Sequence, residues 1–266
     1  MSDVLAGQVT ASAAEIYEEF FVPALFGEWA GRVADAARVG LGDVVLDVGC
    51  GTGVLARELA ARCGPDGAVT GLDRNEAMLE VARARAPAIS WRRGMAEDLP
   101  FADDGFDAAA SQFALMFYED RVAALSQMRR VVRPGGRIAV AVWGPLEAAP
   151  GYAAMVALLG ELFGSDVAEG LSAPYVLGDR DTLRDLFARA GYGDVEIELR
   201  PGRARFPSLD DWIFTDIRGW TLSDLIDDER YRRLVAAATP RLAHFVAADG
   251  SVEFDHPALI ASAVSG

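Results

Sequence analysis

Cysteine occurs only twice in the 266 residues, as Cys50 and Cys63, too few for a disulfide framework or a four-cysteine zinc site. Histidine is as scarce, as His244 and His256, and no metal-binding cluster is expected. Positive charge is short: 25 Lys and Arg stand against 40 Asp and Glu, a formal net charge of -15. A surface so acidic argues against a nucleic-acid partner or an anionic membrane, while leaving room for a local basic pocket. No apolar run is long enough for a membrane span, so no stable membrane insertion is expected. The start, MSDVLAGQVTASAAEIYEEF, has no basic segment before an apolar core, so no signal peptide is expected either. Hydrophobic residues make up 52% of the chain, enough for a substantial core. The expectation is a soluble cytoplasmic protein of one large domain, or one domain with a cap.

Ser12 to Glu15 has capping-box spacing and predicts a first helix, followed by an aromatic stretch with Tyr17, Phe20, Phe21, Phe26 and Trp29, interrupted by Pro23. Residues 1–40 thus read as helices packed on the main domain or as a lid over a pocket. From residue 41 strand and helix patterns alternate. Val44–Val48, Ala68–Asp73, Ile89–Arg92, Phe106–Ser111 and Arg137–Trp143 read as strands. Helices are predicted at 54–62, from a cap at Asn75 through Ala84, and from Arg121 to Val132, with Glu119-Asp120 as its cap. Five short apolar strands separated by helices imply right-handed crossovers and a mainly parallel sheet over 41–143. The repeat then breaks. Helical patterns at 144–180 and 207–247 read as cap elements, with Ser208 capping one helix and Pro240 expected to kink or divide the last. An amphipathic helix at 181–190, the alternating V-E-I-E-L at 195–199 and the tail 257–264 place the completion of the sheet in 181–206 and 248–266.

The most informative stretch is Asp47-Val48-Gly49-Cys50-Gly51-Thr52-Gly53, where a strand enters alternating glycines and then a helix. Glycines allow a sharp turn and close backbone approach, and the following helix start presents unpaired N–H groups. Such a loop suits a phosphate or the carboxylate of an amino-acid moiety. Asp73, twenty positions beyond Gly53 at the end of the second strand, suits a pair of ribose hydroxyls. A nicotinamide fingerprint wants Gly or Ala where Val54 stands, and a Walker loop wants a G-K-[ST] ending that is missing.

VLDVGCGTG with GLD at 71–73 resembles the first two cofactor motifs of class I S-adenosylmethionine-dependent methyltransferases, most of all the ubiquinone/menaquinone-biosynthesis and type-11 small-molecule group. Gly94–Phe101 resembles that group's G-D-A-x-x-L-P-F segment, Leu125–Gly136 its helix and P-G-G turn, and Phe187–Tyr192 the region before its sixth strand. The resemblance covers about 41–143 and 181–199 and implies an α/β, Rossmann-like, doubly wound, mainly parallel seven-stranded sheet flanked by helices, with an N-terminal helical lid and helical cap insertions. It also implies S-adenosylmethionine as cofactor, leaving S-adenosylhomocysteine. Asp47, Gly49, Cys50, Gly51 and Gly53 would surround its methionine end, Asp73 would hold the ribose, and Arg74 and Met78 would line the ribose or adenine. Ala96 would offer its backbone N–H to the adenine, and Ser111 and Gln112 would border the sulfonium. The family often has an acid where Met95 stands, so either Glu97 or Asp98 compensates or Met95 packs on the ring.

Transfer from an activated methyl donor depends mainly on holding acceptor, methyl carbon and sulfur in line with water excluded. A base helps with phenols, enolisable carbons or ammonium groups. Candidates for acceptor-side chemistry are His244, Tyr17 and Tyr118, with His256 ranked behind His244. Phe21, Trp29, Phe113, Phe117, Trp143, Trp212 and Trp220 point to an apolar or aromatic small-molecule acceptor, methylated on O, N or C. Alternatives are methylation of protein or tRNA, or a cofactor-binding accessory protein without turnover. The apolar cap could equally serve a homodimer.

Overall fold

The structure is a computed structural model and describes residues 11–219 and 221–266. Strand β1 (Val44–Val48), β2 (Ala68–Asp73), β4 (Phe106–Gln112) and the longer β5 (Val132–Trp143) carry near-continuous buried apolar runs, as strands covered on both faces require. With β3 (Ser90–Arg93), β6 (Val195–Arg200) and β9 (Ala258–Val264) they form a seven-stranded sheet in the order β3-β2-β1-β4-β5-β9-β6. The pairings from β3 to β5 are parallel, whereas β9 runs antiparallel to both β5 and β6. This is the α/β, Rossmann-like architecture the sequence implies. Strand order reverses between β1 and β4, so a crevice opens at their carboxyl ends, where doubly wound sheets bind ligands.

Helices α3 (Val54–Cys63), α4 (Glu76–Arg85), α5 (Arg121–Val131) and α8 (Arg180–Arg189) connect these strands. Three carry side-chain caps. Asn75 accepts from the amides of Ala77 and Met78, Asp120 from Ala123 and Asp179 from Thr182, each cap contributing about 1 kcal/mol. α3 has no side-chain cap, and it starts directly after the glycine loop.

Several expectations are corrected. β5 begins at Val132 rather than Arg137, because the Gly135 N–H donates to Ser265 O (2.7 Å) and the Ser265 N–H to Gly136 O (2.9 Å), extending the strand through a register shift. The helix expected to open at Ser12 includes it, as α1 (Ala11–Ile16), and the chain then widens into a π-helical stretch, Tyr17–Phe26, before α2 (Gly27–Ala36). Pro23 sits exposed inside that stretch without breaking it, and the Gly27 N–H closes on Val22 O. Pro240 neither ends nor divides α10 (Asp228–Leu242). Pro240 and Ala236, whose carbonyl Pro240 cannot pair, are both exposed, on the solvent side of the helix.

The cap helices are α6 (Pro150–Phe163), α7 (Ser165–Ser172), α9 (Leu209–Arg218) and α10. β7 (Arg203–Phe206) and β8 (Val252–Asp255) pair with each other, outside the large sheet. Arg203 and Arg205 reach Asp255 (3.4 Å) and Glu253 (2.7 Å) across that ribbon. Trp212, Phe206, Phe254 and Phe245 pack together between the ribbon and the cap helices. Among the described residues, no helix is long and apolar enough to cross a membrane.

Candidate functional site: two adjoining cavities

The glycine loop is folded by its own backbone. The N–H groups of Gly49 and Cys50 donate to Leu72 O at 2.8 and 3.0 Å, which lays the loop over the end of β2. Gly49 has φ +72°, and a Cβ there would lie 2.5 Å from both Ala114 Cβ and Tyr118 Oη. Gly53 has φ +88° and faces the Trp91 ring from β3, leaving no space for a side chain. Gly53 therefore shapes the loop without lining the cavity beside it.

That cavity is a cleft enclosing about 880 Å³ of non-atom space, part of it open to solvent. Among the residues assigned to the cofactor, Asp47, Gly49, Cys50, Gly51, Asp73, Arg74, Met78, Ala96, Glu97 and Gln112 line it. Tyr17, Tyr118, Phe113 and Phe117 line it too, as do Val54, Leu55, Asn75, Gly94 and Ala114, which the motifs did not single out. Asp73 is fixed by two amides: Gly51 N–H donates to Oδ2 (2.9 Å) and Asn75 N–H to Oδ1 (2.8 Å). Burial raises its pKa against the pull of these amides and Arg74. Ser111 stays fully buried behind the cleft, 3.4 Å from the Tyr118 hydroxyl.

Asp47 is 1% exposed, and neither carboxylate oxygen has a hydrogen-bond partner. Burial pushes its carboxyl up to about 8; the Ala56 amide, close by but outside hydrogen-bond geometry, and Arg57 offset part of the rise, and the Asp73 carboxylate adds to it. Gln112 donates its Nε2–H to Phe26 O (3.2 Å) while its buried Oε1 is also without a partner. Two unpartnered acceptors in one cleft call for a donor-rich cation. The ammonium of an aminoacyl group meets that demand, the N-terminus of α3 suits its carboxylate, Asp73 suits ribose hydroxyls, and Leu72, Met78 and Ala96 offer an apolar slot for a base. The residues present therefore fit S-adenosylmethionine.

A cation favours the ionised form of Asp47, so its arrival expels the proton. Affinity for S-adenosylhomocysteine is expected to rise with pH toward about 8, as Asp47 ionises, and to fall at higher pH as the ligand's own ammonium loses its proton. At pH 7, calorimetry in buffers of differing ionisation enthalpy should register release of close to one proton, and Asp47→Asn should abolish it. Equal heats in all buffers for the unaltered protein would contradict the assignment.

One cofactor-side expectation needs correction. Met95 is 40% exposed and lies outside the cleft wall, because it bridges to Asp98 and turns outward. Of the acids weighed in its place, Glu97 lines the cleft, with Oε1 accepting from the Glu119 N–H (3.1 Å), and Asp98 is exposed. Tyr17 and Tyr118, candidates as acceptor-orienting hydroxyls, are held as phenols. The Tyr118 hydroxyl donates to Val48 O (3.1 Å) and buttresses the Gly49 turn. Burial and the neighbouring carboxylates raise the pKa of Tyr17 and Tyr118 alike.

A second, apolar chamber, about 470 Å³ of non-atom space that is partly open to solvent, adjoins the cleft, with Phe113 and Phe117 in the walls of both. Phe21, Phe113, Phe117 and Trp143 line it, joined by Phe26, Leu171, Tyr152, Tyr175, Asp216 and His256. Phe113 adopts φ +54°, a strained conformation for an aromatic residue. It stacks on Trp143 at 3.7 Å, and Trp143 stacks on His256 at 3.8 Å. Three expectations fail here. His244 is exposed at the end of α10, against Phe245, and lines neither cavity. Trp29 is fully buried behind Phe113 and Trp143, meeting both rings edge-on. Trp212 is core, and its Nε1–H donates to Asp216 Oδ2 (2.7 Å) instead of facing the chamber. Trp220 lies outside the described residues.

Residues 45–136 match the methyltransferase domain family. Over 105 residues the chain is 49% identical to the 2-phytyl-1,4-naphtoquinone methyltransferase of Synechococcus elongatus, a match spanning 37% of the chain and 45% of that relative, less than half its length. It is 34% identical to the demethylmenaquinone methyltransferase of Staphylococcus carnosus over 188 residues, 65% of the chain and 78% of the relative. In fold it resembles phosphoethanolamine N-methyltransferase 2 of Haemonchus contortus, solved with S-adenosyl-L-methionine, at TM-score 0.61 and 20% identity over 96% of the chain and 57% of that protein. With the glycine loop, Asp73 and the strand order, these likenesses show that the chain belongs to the class I S-adenosylmethionine-dependent methyltransferases.

Proposed function

We propose that this protein transfers the methyl group of S-adenosylmethionine to an apolar, aromatic small molecule held in the chamber. The observation that carries this reading is the junction of the two cavities at Phe113 and Phe117. A cofactor seated on Asp47 and Asp73 and a planar acceptor in the chamber would meet beside these rings, where methyl carbon and acceptor atom can come into line. The cofactor supplies an electrophilic methyl carbon. The chain's own residues bind, orient and keep out water. The π-helical stretch contributes Tyr17 to the cleft and Phe21 and Phe26 to the chamber, so one segment closes both. It is tied to the glycine loop by Arg57, which donates to Thr52 O (2.8 Å) and to Glu18 Oε1 (2.9 Å). Alignment in an enclosed apolar site is the main source of acceleration for such a transfer. The names of the two relatives point to fused aromatic rings as the acceptor type.

The test is transfer from methyl-labelled S-adenosylmethionine to panels of aromatic small molecules, bulk tRNA and peptides. Label is expected in an organic-extractable aromatic product. Leu171→Trp, which fills the chamber, should reduce turnover at least about tenfold while leaving S-adenosylhomocysteine affinity within about twofold. Undiminished transfer in that variant, or label only in tRNA or peptide, would contradict the reading.

A further inference from the structure

The chamber is not uniformly apolar. Four polar groups stand in its wall, and three are already satisfied by this chain. The Tyr152 hydroxyl donates to Asp216 Oδ1 (3.2 Å), Asp216 Oδ2 accepts from Trp212 Nε1–H (2.7 Å), and the Tyr175 hydroxyl lies 2.8 Å from His256 Nε2. His256 Nδ1 is the exception. The residue is 1% exposed, lines the chamber, and Nδ1 has no hydrogen-bond partner.

We propose that His256 anchors a ring hydroxyl of the acceptor through Nδ1, with Tyr175 as its positioning residue, so that this pair selects hydroxylated aromatic acceptors over hydrocarbons of the same shape. The proposal rests on the chamber being the acceptor site. A buried nitrogen without a partner leaves a hydrogen bond for a ligand to make. Which kind depends on the tautomer. If Nε2 accepts from Tyr175, Nδ1 carries the proton and donates; if Nε2–H donates to the Tyr175 oxygen, Nδ1 accepts. A hydroxyl serves either case, because it both donates and accepts, whereas an ether or a quinone carbonyl serves only the first.

Charge points the same way. Burial holds the imidazole pKa down near 3, so the ring is neutral and offers no counter-charge to a carboxylate or phosphate. Asp216 has both oxygens occupied by its own donors. Orientation is fixed as well: Trp143 stacks on the imidazole at 3.8 Å, and the Tyr152 ring lies 4.9 Å from it. The stacked row continues from Trp143 to Phe113 at the cofactor junction. An acceptor anchored at His256 therefore turns its far edge toward Phe113 and Phe117, where the cleft begins.

The experiment uses the full chain saturated with S-adenosylhomocysteine and measures binding of 1-naphthol, naphthalene and 1-naphthylmethylammonium by tryptophan fluorescence and calorimetry. The proposal expects 1-naphthol to bind about tenfold or more tightly than naphthalene, a difference of about 1.4 kcal/mol. His256→Phe, which keeps a stacking ring, should bring the two within about twofold. His256→Gln should restore part of the preference, and Tyr175→Phe should reduce it severalfold. S-adenosylhomocysteine affinity should stay unchanged in every variant, which also reports an intact fold. Equal binding of naphthol and naphthalene, or a preference that survives His256→Phe, overturns the proposal. Tighter binding of the ammonium compound moves the anchor to Asp216 and overturns it too. If no aromatic probe binds while S-adenosylhomocysteine does, the chamber is not the acceptor site, and both readings fall while the cofactor assignment stands.

Discussion

Replacing Asp73 with Ala is expected to weaken S-adenosylhomocysteine binding by about a hundredfold, or about 2.7 kcal/mol. The carboxylate is fixed before any ligand arrives, because Gly51 and Asn75 donate their N–H groups to its two oxygens. Its remaining lone pairs suit a pair of vicinal hydroxyls, and a hydrogen bond to a charged acceptor contributes about 1.5–3 kcal/mol. Removing the side chain also frees the Gly51 amide, loosening the loop that faces the methionine end. Asp73→Asn keeps the shape and one acceptor oxygen, so a loss of roughly tenfold is expected there. A change of less than threefold in the Ala variant, measured by calorimetry, would remove Asp73 from the site.

Gly49→Ala should be the most damaging single methyl group in the cleft. The residue has φ +72°, and the added Cβ would sit 2.5 Å from Ala114 Cβ and from Tyr118 Oη. The left-handed conformation costs a non-glycine residue about 1 kcal/mol, and overpacking adds about 1–3 kcal/mol. Relief requires Tyr118 to move, which breaks its bond to Val48 O and opens the loop. Thermal unfolding should fall by about 5–10 °C, and S-adenosylhomocysteine affinity by more than tenfold. Gly135→Ala supplies the control: it has φ +78° and nothing within 4 Å of a new Cβ, so only the conformational cost applies. Equal losses in the two variants would show that the loop does not depend on this contact.

The half of the molecule that carries the glycine loop was legible because its signals are local. A buried run ending in glycines, an acid at the end of the next strand and the cap at Asn75 each occupy a few consecutive residues. The chamber proposed for the acceptor is assembled from far-apart segments: Tyr152 from α6, Asp216 from α9, and His256 between β8 and β9. His256 reaches the chamber because β9 returns antiparallel beside β5, pairing Ala258 with Trp143, and nothing near residue 256 announces that contact. His244 looked the better candidate from the end of a helix and lies in solvent. Aromatic composition identified the chamber's character but could not sort Phe113 and Trp143, in its wall, from Trp29 and Trp212, behind it. The π-helical stretch escaped notice because Pro23 reads as a break, whereas exposure and the wide turn accommodate it. Met95 misled for a different reason: position in a motif does not fix which way a side chain turns, and its bridge to Asp98 turns it outward.

The central claim, that the cleft at the ends of β1 and β4 is built for S-adenosylmethionine, is tested most directly by calorimetric titration with S-adenosylhomocysteine, with NAD in parallel. Micromolar binding of S-adenosylhomocysteine and none of NAD is the predicted result. Binding of NAD alone would contradict the account, since Val54 stands where a dinucleotide loop needs a small residue. Binding of neither would contradict it as well, because Asp47 and Asp73 already stand in the cleft wall.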